Sequence, residues 1–183
     1  DAFIHKQMVL YVLSSIRRAI CRLGTDGLKP SQRKILYTAL KKNITADVKV
    51  AQFAAQVAEF TDYHHGENSL CAAVVKMAQN YVGSNNVHVL EPSGQFGTRL
   101  QGGKDDASPR YIFTRLCDIT RRIFPKADDD LLTQVISDGH AVEPDTYAPI
   151  LPFGLVNGSK GLATGWSAWI PPHALEDVVH ALL

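Results

Sequence analysis

Two helical patterns separated by a short turn place the strongest constraint on the fold of this chain. Apolar residues recur at helical spacing over Val50–Phe60 and again from Glu67 to about Tyr81. The residues between the two patterns, Thr61–Gly66, are mostly polar and end in a glycine. Two short helices joined by a tight turn of this kind predict a helix-turn-helix.

The stretch after the second helical pattern predicts a small β-hairpin. Short segments with strand character at Val87–Leu90 and Gln95–Leu100 flank the turn-forming residues Pro92, Ser93 and Gly94. A hairpin in this place would form a wing beside the helix-turn-helix. The chain is therefore predicted to be an α+β protein that begins with a helix-rich winged-helix domain.

The remaining patterns predict further helices and a second, smaller domain. Helical patterns cover four more segments: Phe3–Arg22, Pro30–Asn43, Tyr111–Ile123 and Asp130–Ile136. Past residue 140, the segments Tyr147–Val156 and Asn157–Trp166 indicate strands and turns of an α/β-type unit. We therefore place one domain at residues 1–140 and the start of another at residues 141–183. The chain lacks an initiator Met and stops inside an apparent helix, so we expect an excerpt of a longer protein.

Composition excludes a membrane-spanning chain and a disulfide-rich chain. The sequence is 45% hydrophobic and 20% charged, and no apolar run reaches the roughly 18 residues that a membrane-spanning helix needs. Cys21, Cys71 and Cys117 are far apart and odd in number, which fits neither a CxxC metal pattern nor a disulfide framework. Cysteines of this kind favour a reducing, intracellular location.

Charge is distributed unevenly, although the net charge is only +1. Residues 17–49 contain nine Lys or Arg and two acids, a local excess of +7, whereas the segment from residue 126 onward is acidic. Because phosphate contacts are made mostly by Lys and Arg, a surface that faces a polyanion would explain the basic block. A solvated helix face would explain it equally well, and charge alone leaves both open.

Arg110 and Tyr111 are the first candidates for chemistry. A tyrosine side chain ordinarily has a pKa of about 10, so ionising it at pH 7 costs about 4 kcal/mol. An adjacent guanidinium can lower that cost and can also stabilise charge that builds on a phosphate in a transition state. The pair follows a glycine–lysine loop and the dipeptide Ser108-Pro109. A buried tyrosine ring beside a surface arginine is the alternative explanation of the same pattern.

The sequence His64-His65-Gly66-Glu67 is the second candidate. Adjacent histidines project in different directions and rarely share one metal ion, since a ligand pair on a helix requires a spacing of four residues. A hydrolase that uses these residues on a metal therefore fails on spacing. The glycine lets the backbone approach a phosphate, to which either histidine could donate a hydrogen bond. A helix cap with one packed histidine is the alternative.

Two more segments combine turns with side chains that suit nucleic acid. The turn Asp26–Pro30 is followed by Arg33 and Lys34, so several cations and a helix start converge on one place for an anion. The glycine-rich stretch Asn157–Gly165 resembles a hairpin with Leu162 at its tip. An apolar side chain there could act as a wedge between base pairs, or it could simply pack.

Taken together, these segments resemble the eukaryotic-type topoisomerase II family (type IIA DNA topoisomerases) along nearly the full length of the chain. Several sequence blocks that match the family in the same order identify it far more specifically than any single block does. The blocks that carry the resemblance are Asp26–Lys34, Val48–Gln52, Tyr63–Glu67, Ala78–Asn86, Gly94–Arg99, Gly102–Asp105, Ala107–Thr114, Val142–Pro144 and Thr164–Ser167.

The resemblance implies the winged-helix domain of the breakage-reunion region, followed by the start of the tower domain. It implies that Tyr111 is the nucleophile that links transiently to a DNA 5′ end, with Arg110 as the transition-state stabiliser. It also implies that His65 lies near the scissile phosphate and that Arg18 holds the DNA backbone around the cut. We expect further DNA contacts from a larger set: Lys29, Arg33, Lys34, Lys49, His64, Arg99, Lys104, and Leu162 as the wedge that bends DNA.

The resemblance also implies cofactors and partners. The family cleaves DNA with a divalent metal held by a Glu and an Asp-x-Asp in a separate fold, and it binds ATP in a further domain; neither that fold nor the ATP-binding domain is found here. We therefore expect Mg²⁺ and ATP to be bound by other parts of a full-length enzyme, with no metal ligands in this segment. The implied partners are double-stranded DNA and a second copy in a homodimer, and the implied location is the nucleus, with organellar or viral enzymes as alternatives. These 183 residues alone are expected to bind DNA weakly and to cut nothing.

A winged-helix module that binds duplex DNA without chemistry, as transcription factors do, is the alternative function. The dipeptide Arg110-Tyr111, inside the Ser-Pro-Arg-Tyr block, discriminates between the two, because a protein that only binds DNA has no need of it.

Overall fold

The helices predicted in the first half of the chain are confirmed. In the computed structural model, which describes residues 3–183, helix α1 spans Val9–Ala19 and helix α2 spans Pro30–Lys41. A short strand β1, Val48–Lys49, leads directly into helix α3, Val50–Phe60. After the turn at residues 61–66, helix α4 spans Glu67–Ala78.

Helices α3 and α4 form because each carries an apolar stripe that it can bury. On α3 the buried side chains are Val50, Phe53, Ala54 and Val57, which fall on one face of a helix. Helix α4 buries a similar stripe and packs against α3. Burying one large apolar side chain contributes about 1.5–3 kcal/mol, so packing rather than helix propensity holds the pair.

The described residues divide into two compact units. We call Ser31–Ile150 the central unit, and we call the residues up to Pro30 together with Leu151–Leu183 the terminal unit. This division is geometric. The domain boundary predicted near residue 140 stays a prediction.

A three-stranded antiparallel sheet in the central unit replaces the predicted hairpin. Strand β2 spans Leu90–Ser93, strand β3 spans Phe113–Leu116, and the order is β1-β3-β2. The prediction of two strands around Pro92 was wrong, because Pro92 lies inside β2, opposite Thr114. Strand β2 is an edge strand, where a proline that lacks an N–H can be accommodated.

The helix predicted over Tyr111–Ile123 was also wrong in its first part. Only Thr120–Ile123 forms a helical turn, α5, and β3 precedes it. The buried side chains of Thr114 and Leu116 alternate with exposed Arg115, which is the two-residue period of a strand. Because β3 is the central strand and pairs on both sides, sheet pairing overrides the local helical pattern.

The segment predicted as a helix over Asp130–Ile136 forms a hairpin instead. A 3₁₀ helix covers Lys126–Leu131, and strands β4, Gln134–Ser137, and β5, His140–Pro144, pair antiparallel. Asp138 and Gly139 connect them with φ of 45° and 82°. Positive φ at both central residues is characteristic of a tight two-residue hairpin turn, for which Asp-Gly is a strong signal.

The terminal unit is built on a second hairpin. Strands β6, Ser159–Ala163, and β7, Trp166–Ile170, pair antiparallel, so the predicted hairpin forms. It extends beyond the predicted Asn157–Gly165, and the prediction of Leu162 at its tip was wrong. Leu162 lies within β6 opposite Ser167, because the turn forms at Thr164 and Gly165. The prediction of strands and turns over Tyr147–Val156 was wrong at the end of that segment, where helix α6 spans Phe153–Asn157. A π-helical segment, Phe3–Met8, precedes α1, and helix α7 spans Leu175–Leu182.

A close backbone contact joins the two sequence segments of the terminal unit. Gly27 has φ of 68°, and a Cβ atom there would lie 2.4 Å from the Cα atom of Gly154. Only glycine allows both this conformation and this approach. The contact explains why the Asp26–Pro30 turn contains a glycine at this position.

The fold is a mixture of helices and small sheets, as the predicted class requires. Across residues 3–183, none of the helices has both the length and the apolar character that crossing a bilayer demands.

Candidate active site

Tyr111 lies in a turn with its ring in solvent. The residue is 70% exposed, and its backbone N–H donates to the carbonyl oxygen of Ser108 at 2.9 Å. The sequence left open a buried ring at this position, and the exposure of Tyr111 excludes it. A phenol presented on a turn is accessible to a bulky polyanion such as DNA.

The first turn of helix α3 holds the backbone on both sides of Tyr111. The N–H of Val50 donates to the Ile112 carbonyl at 3.0 Å, and the N–H of Ala51 donates to the Pro109 carbonyl at 3.1 Å. These amides are among those that a helix leaves without intrahelical partners. Ile112, the residue after Tyr111, is 2% exposed, so its side chain is anchored in the core. The fold therefore fixes the backbone of Tyr111 and leaves its ring exposed to solvent.

Arg110 places a positive charge beside the Tyr111 ring. Its guanidinium carbon lies 5.6 Å from the ring centroid, within the range of a cation–π contact. Its Nε donates to the Ser108 hydroxyl at 3.3 Å, which helps to orient the side chain. A guanidinium held there would stabilise negative charge on a group bound next to the phenol.

Lys49 is a further cation close to Tyr111 along the sheet. Lys49 on β1 pairs with Phe113 on β3, and Phe113 is two residues after Tyr111. The Lys49 side chain is exposed. Lys49 also immediately precedes α3, so its position is fixed by the helix that holds the tyrosine turn.

Arg99 and Lys104 lie on an ordered loop that leads back to Tyr111. The Asp105 carboxylate accepts hydrogen bonds from the Thr98 backbone N–H at 2.7 Å and from the Thr98 hydroxyl at 2.8 Å. The Ala107 N–H donates to the Gln95 carbonyl at 2.9 Å and closes the base of the loop. Arg99 and Lys104 are both exposed, so the loop presents two cations to solvent.

Buried Gln79, the residue after the last turn of α4, anchors this loop. Its Nε2 donates to the carbonyl oxygens of Phe96 at 2.8 Å and Gly103 at 3.3 Å. Gly103 has φ of 76°, and a Cβ atom there would lie 2.4 Å from the Gln79 Nε2. We did not assign a role to Gln79 or Asp105 from the sequence. Both lie inside blocks that carry the family resemblance, which was the available signal.

Replacing Asp105 with alanine should release the loop that carries Arg99 and Lys104. Hydrogen bonds from Thr98, chiefly from its backbone N–H, hold the pKa of Asp105 below its ordinary value. The Asp105 carboxylate therefore stabilises the loop fully above the ordinary aspartate pKa. This stabilisation is lost only as the pH falls through the lowered pKa of Asp105. In Asp105→Ala we expect faster amide hydrogen exchange at Thr98 at neutral pH. The protection factor of Thr98 in wild type, which is its exchange rate relative to the intrinsic rate at the same pH, should fall to the level of the variant only in more acidic solution.

The matched control is Asp106→Ala, which removes an exposed carboxylate from the neighbouring position. Exchange at Thr98 should then stay at the wild-type rate. Equal rates in Asp105→Ala and wild type would show that the carboxylate does not order the loop.

His64 and His65 lie in the turn at the other end of α3 from Tyr111. Both are exposed, and the His65 ring contacts the Tyr63 ring edge-on at a centroid distance of 5.5 Å. Helix α3 is about 16 Å long at 1.5 Å per residue. The helix therefore separates the turn that holds both histidines from the turn that holds Tyr111. The role of His65 near a scissile phosphate stays a prediction.

Arg33 and Lys34 are engaged inside the central unit. Arg33 is 4% exposed. The Lys34 ammonium donates to the Glu143 carboxylate at 2.8 Å and also to the Thr61 carbonyl oxygen. The sequence predicted DNA contacts for both residues, and that role stays a prediction. The Lys34 ammonium already has two partners within the central unit.

In the terminal unit, Lys29 and helix α1, which carries Arg18, both contact the β6–β7 hairpin that carries Leu162. Leu162 is 74% exposed near the hairpin tip, and the Lys29 ammonium donates to the Lys160 carbonyl at 2.7 Å. Ser15, one turn before exposed Arg18 on α1, accepts a hydrogen bond from the Thr164 N–H at 3.1 Å. Sequence reasoning missed Ser15, since nothing in the local pattern of α1 indicates a partner so distant along the chain.

One group of residues in the described part of the chain is close enough to share a metal ion, and it does not suit Mg²⁺. Within residues 3–183, the one cluster of at least three His, Cys, Asp or Glu side chains close enough to share an ion is His88, Glu91 and Cys117. Magnesium prefers oxygen ligands in octahedral geometry, so a thiol and an imidazole do not fit it. No step of the chemistry is therefore assigned to a metal held by these residues.

Comparison with known proteins shows the family of the chain. The family model of DNA gyrase/topoisomerase IV A subunits matches residues 18–183, which include Tyr111. The chain belongs to this family. Its resemblance to eukaryotic topoisomerase II is confirmed by relatives of about half identical sequence.

Three relatives illustrate the match of this topoisomerase-family chain. DNA topoisomerase 2-alpha of Cricetulus griseus is 52% identical over 178 residues, 97% of this chain and 12% of the relative. DNA topoisomerase 2-beta of Gallus gallus is 52% identical over 97% of this chain and 11% of its own length. The human 2-alpha protein is 51% identical over 97% of this chain and 12% of its own length. The chain thus spans about 12% of the length of these relatives.

A solved structure agrees in fold. The crystal structure of the Plasmodium falciparum topoisomerase II DNA-binding, cleavage and re-ligation domain superposes with a TM-score of 0.92 at 44% identity. The match covers 97% of this topoisomerase-family chain and 24% of the solved one.

Proposed function

We propose that this chain is the DNA-cleaving part of an ATP-dependent type IIA DNA topoisomerase, with Tyr111 as the nucleophile. The phenol oxygen of Tyr111 attacks a backbone phosphorus and loses its proton. The bond from phosphorus to the 3′ oxygen of the neighbouring sugar breaks, and that oxygen leaves as a 3′ hydroxyl. The product is a 5′-phosphotyrosine link. The reverse attack by the 3′ hydroxyl restores the DNA and the free tyrosine.

The observation that carries this proposal is the presentation of Tyr111. Its side chain is 70% exposed, whereas its flanking carbonyls are bound by the start of α3. A ring kept for packing would be buried, and a ring on a loose loop would not be aligned for in-line attack. Arg110 supplies positive charge that offsets the negative charge such an attack builds up on the phosphate oxygens.

The other basic residues extend a DNA-binding surface in this proposal. In the central unit, Lys49, Arg99 and Lys104 are exposed and contact phosphates. In the terminal unit, Arg18 and Lys29 hold the backbone near the cut, and Leu162 enters the base stack. His64 and His65 contact DNA from the turn between α3 and α4. This turn and these helices act as the helix-turn-helix of a winged-helix domain, and the residues after about 140 begin the tower domain.

The partners follow from the reaction. Paired cuts in the two strands of a duplex require two tyrosines, which a homodimer provides. A second duplex passes through the break, driven by ATP, so the overall activity is that of an isomerase of DNA topology. Mg²⁺ and ATP bind in parts of the enzyme other than this chain. We propose the nucleus as the location, in keeping with the eukaryotic relatives.

Covalent trapping tests the proposal directly. The full-length protein is incubated with supercoiled plasmid and Mg²⁺, the reaction is stopped with denaturant, and the protein-linked DNA is digested with protease and nuclease. Mass spectrometry should locate a nucleotide on the peptide that contains Tyr111. DNA binding without any covalent link under these conditions would favour the alternative, a winged-helix module that only binds duplex DNA.

Leu162→Ala should weaken DNA bending more than DNA binding. Unstacking two base pairs costs a few kcal/mol, and the contacts of an inserted side chain offset that cost. Removing the Leu162 side chain should therefore lower the ratio of bent to straight DNA by about tenfold or more. Energy transfer between dyes at the ends of a short duplex measures this ratio. Leu131→Ala is the control, because Leu131 is 83% exposed in the central unit and has no proposed role. An unchanged ratio in Leu162→Ala would rule out a wedge at this position.

Arg99→Ala and Lys104→Ala should each reduce the salt dependence of DNA binding. A lost phosphate contact lowers the slope of log affinity against log salt concentration by about 0.9, because fewer counterions are released. Titrations at several salt concentrations give this slope. Lys126→Ala removes an exposed lysine from the acidic segment and should leave the slope unchanged. A slope that falls equally in all three variants would indicate a general charge effect.

A further inference from the structure

Three side chains of different chemistry converge at the end of strand β3, away from the residues assigned to DNA cleavage. The Cys117 Sγ, a ring nitrogen of His88 and a carboxylate oxygen of Glu91 all lie within 4.8 Å of one another. The His88 Nε2 and the nearest Glu91 oxygen are 3.8 Å apart. Cys117 is a free thiol and is 8% exposed, while His88 and Glu91 are half-buried. The cluster therefore has a buried soft ligand and an open side.

The backbone that carries the three ligands is fixed by hydrogen bonds. The carbonyl oxygen of Val89, which lies between His88 and Glu91, accepts from the Cys117 N–H at 3.1 Å and from the Thr120 hydroxyl at 2.7 Å. The carbonyl of Glu91 accepts from the Thr114 hydroxyl at 2.8 Å. These bonds tie the start of β2 to the end of β3 and to α5. The ligand atoms are thus brought together by the fold and not by a flexible loop.

We propose that His88, Glu91 and Cys117 form a binding site for a borderline-soft divalent cation of the Zn²⁺ class, with solvent in a fourth position. Zinc takes thiolate, imidazole and carboxylate ligands at about 2.0–2.3 Å in tetrahedral geometry, which places the ligand atoms about 3.3–3.7 Å apart. The His88–Glu91 distance already lies close to this range. Rotation of the two half-exposed side chains can close the remaining distance to Cys117. Magnesium is not a candidate, because it does not favour a thiol or an imidazole.

Binding the cation replaces the thiol proton with a metal–sulfur bond, and that proton goes to solvent. Burial raises the pKa of the Cys117 thiol, and the nearby carboxylates of Glu91 and Asp118 raise it further. The thiol is therefore protonated at neutral pH before the metal arrives. His88 binds as neutral imidazole and Glu91 as carboxylate.

Cobalt titration tests the site. Co²⁺ replaces Zn²⁺ in such sites, and a thiolate ligand gives it a charge-transfer band in the near ultraviolet. The protein is titrated with Co²⁺ after chelator treatment, and Zn²⁺ is then added to displace it. We expect the band in wild type, its bleaching by Zn²⁺, and its loss in Cys117→Ser. In His88→Asn and Glu91→Gln the band should need at least about 10-fold more metal, the lower limit for losing even an outer-shell partner.

Cys71→Ser is the matched control, because Cys71 is also a free, buried cysteine and lies outside the cluster. Its titration should equal that of wild type. His88 and Glu91 are half-exposed, so their variants test the site even if Cys117→Ser folds poorly. A wild type without the band, a band that persists in Cys117→Ser, or affinities unchanged in both other variants would overturn the proposal. A Zn²⁺-dependent rise in melting temperature that each ligand variant loses would support it independently.

Discussion

Tyr111→Phe should reduce covalent protein–DNA adducts on the order of 10⁴-fold or more, as expected when the nucleophile of a covalent mechanism is removed. The substitution deletes one oxygen from a side chain that is 70% exposed. Within the central unit, no hydrogen bond to the Tyr111 hydroxyl is present that its loss could disturb. Stability and DNA affinity should therefore stay close to those of wild type. Adduct formation is measured by precipitating protein-linked DNA from denaturant.

Tyr11→Phe is the matched control for this experiment. Tyr11 is 62% exposed on α1, so the same oxygen is removed from a similarly accessible ring. Its adduct yield should equal that of wild type. If Tyr111→Phe still forms adducts at a comparable rate, another residue is the nucleophile. If its DNA affinity collapses as well, the turn has a binding role that the present assignment does not include.

The helices near Tyr111 could be predicted from the sequence because their patterns are local. The stripe of Val50, Phe53 and Val57 on α3 repeats every three or four residues, and the structure buries all three. The bounds of α3 were predicted correctly for this reason. The hairpin that carries Leu162 was likewise predicted from its glycines, although Leu162 lies within β6 and not at the tip.

The strand after Tyr111 could not be predicted in the same way. The segment Phe113–Leu116 becomes a central strand because β1 and β2 pair with its two edges, and these partners lie 20 or more residues away in sequence. A single-sequence pattern weighs only neighbours along the chain. The same limit applies to the site, where α3 was predicted but its hydrogen bonds to Pro109 and Ile112 were not.

Charged residues show this limit most clearly. Nothing in the local sequence distinguishes Lys34 from Lys41 or Lys42 nearby. In the structure, Lys41 is exposed, whereas the Lys34 side chain is only 16% exposed and is paired with Glu143. The two partners are 109 residues apart. A count of basic residues therefore describes the potential for binding a polyanion, but it does not identify which cations are available.

Lys34→Met should destabilise the protein by about 3–5 kcal/mol, the range for removing one partner of a buried ion pair. The Glu143 side chain is only 7% exposed and would lose its counter-charge at 2.8 Å. The Thr61 carbonyl would lose a donor at the same time. Urea denaturation measures the free energy of unfolding. Lys41→Met, on the exposed side of α2, should change it by less than about 0.5 kcal/mol, as most surface substitutions do.

The double variant Lys34→Met/Glu143→Leu separates the cost of an unpaired charge from the loss of an interaction. Replacing both members of a buried pair with apolar residues of similar size is often neutral, so most of the stability should return. A double variant as unstable as Lys34→Met would instead assign the loss to the Thr61 contact or to packing. Salt titrations of DNA binding, performed where each variant remains folded, decide the predicted DNA role of Lys34. A slope lower by about 0.9 in both Lys34 variants requires a phosphate contact, and an unchanged slope means that the lysine acts within the fold.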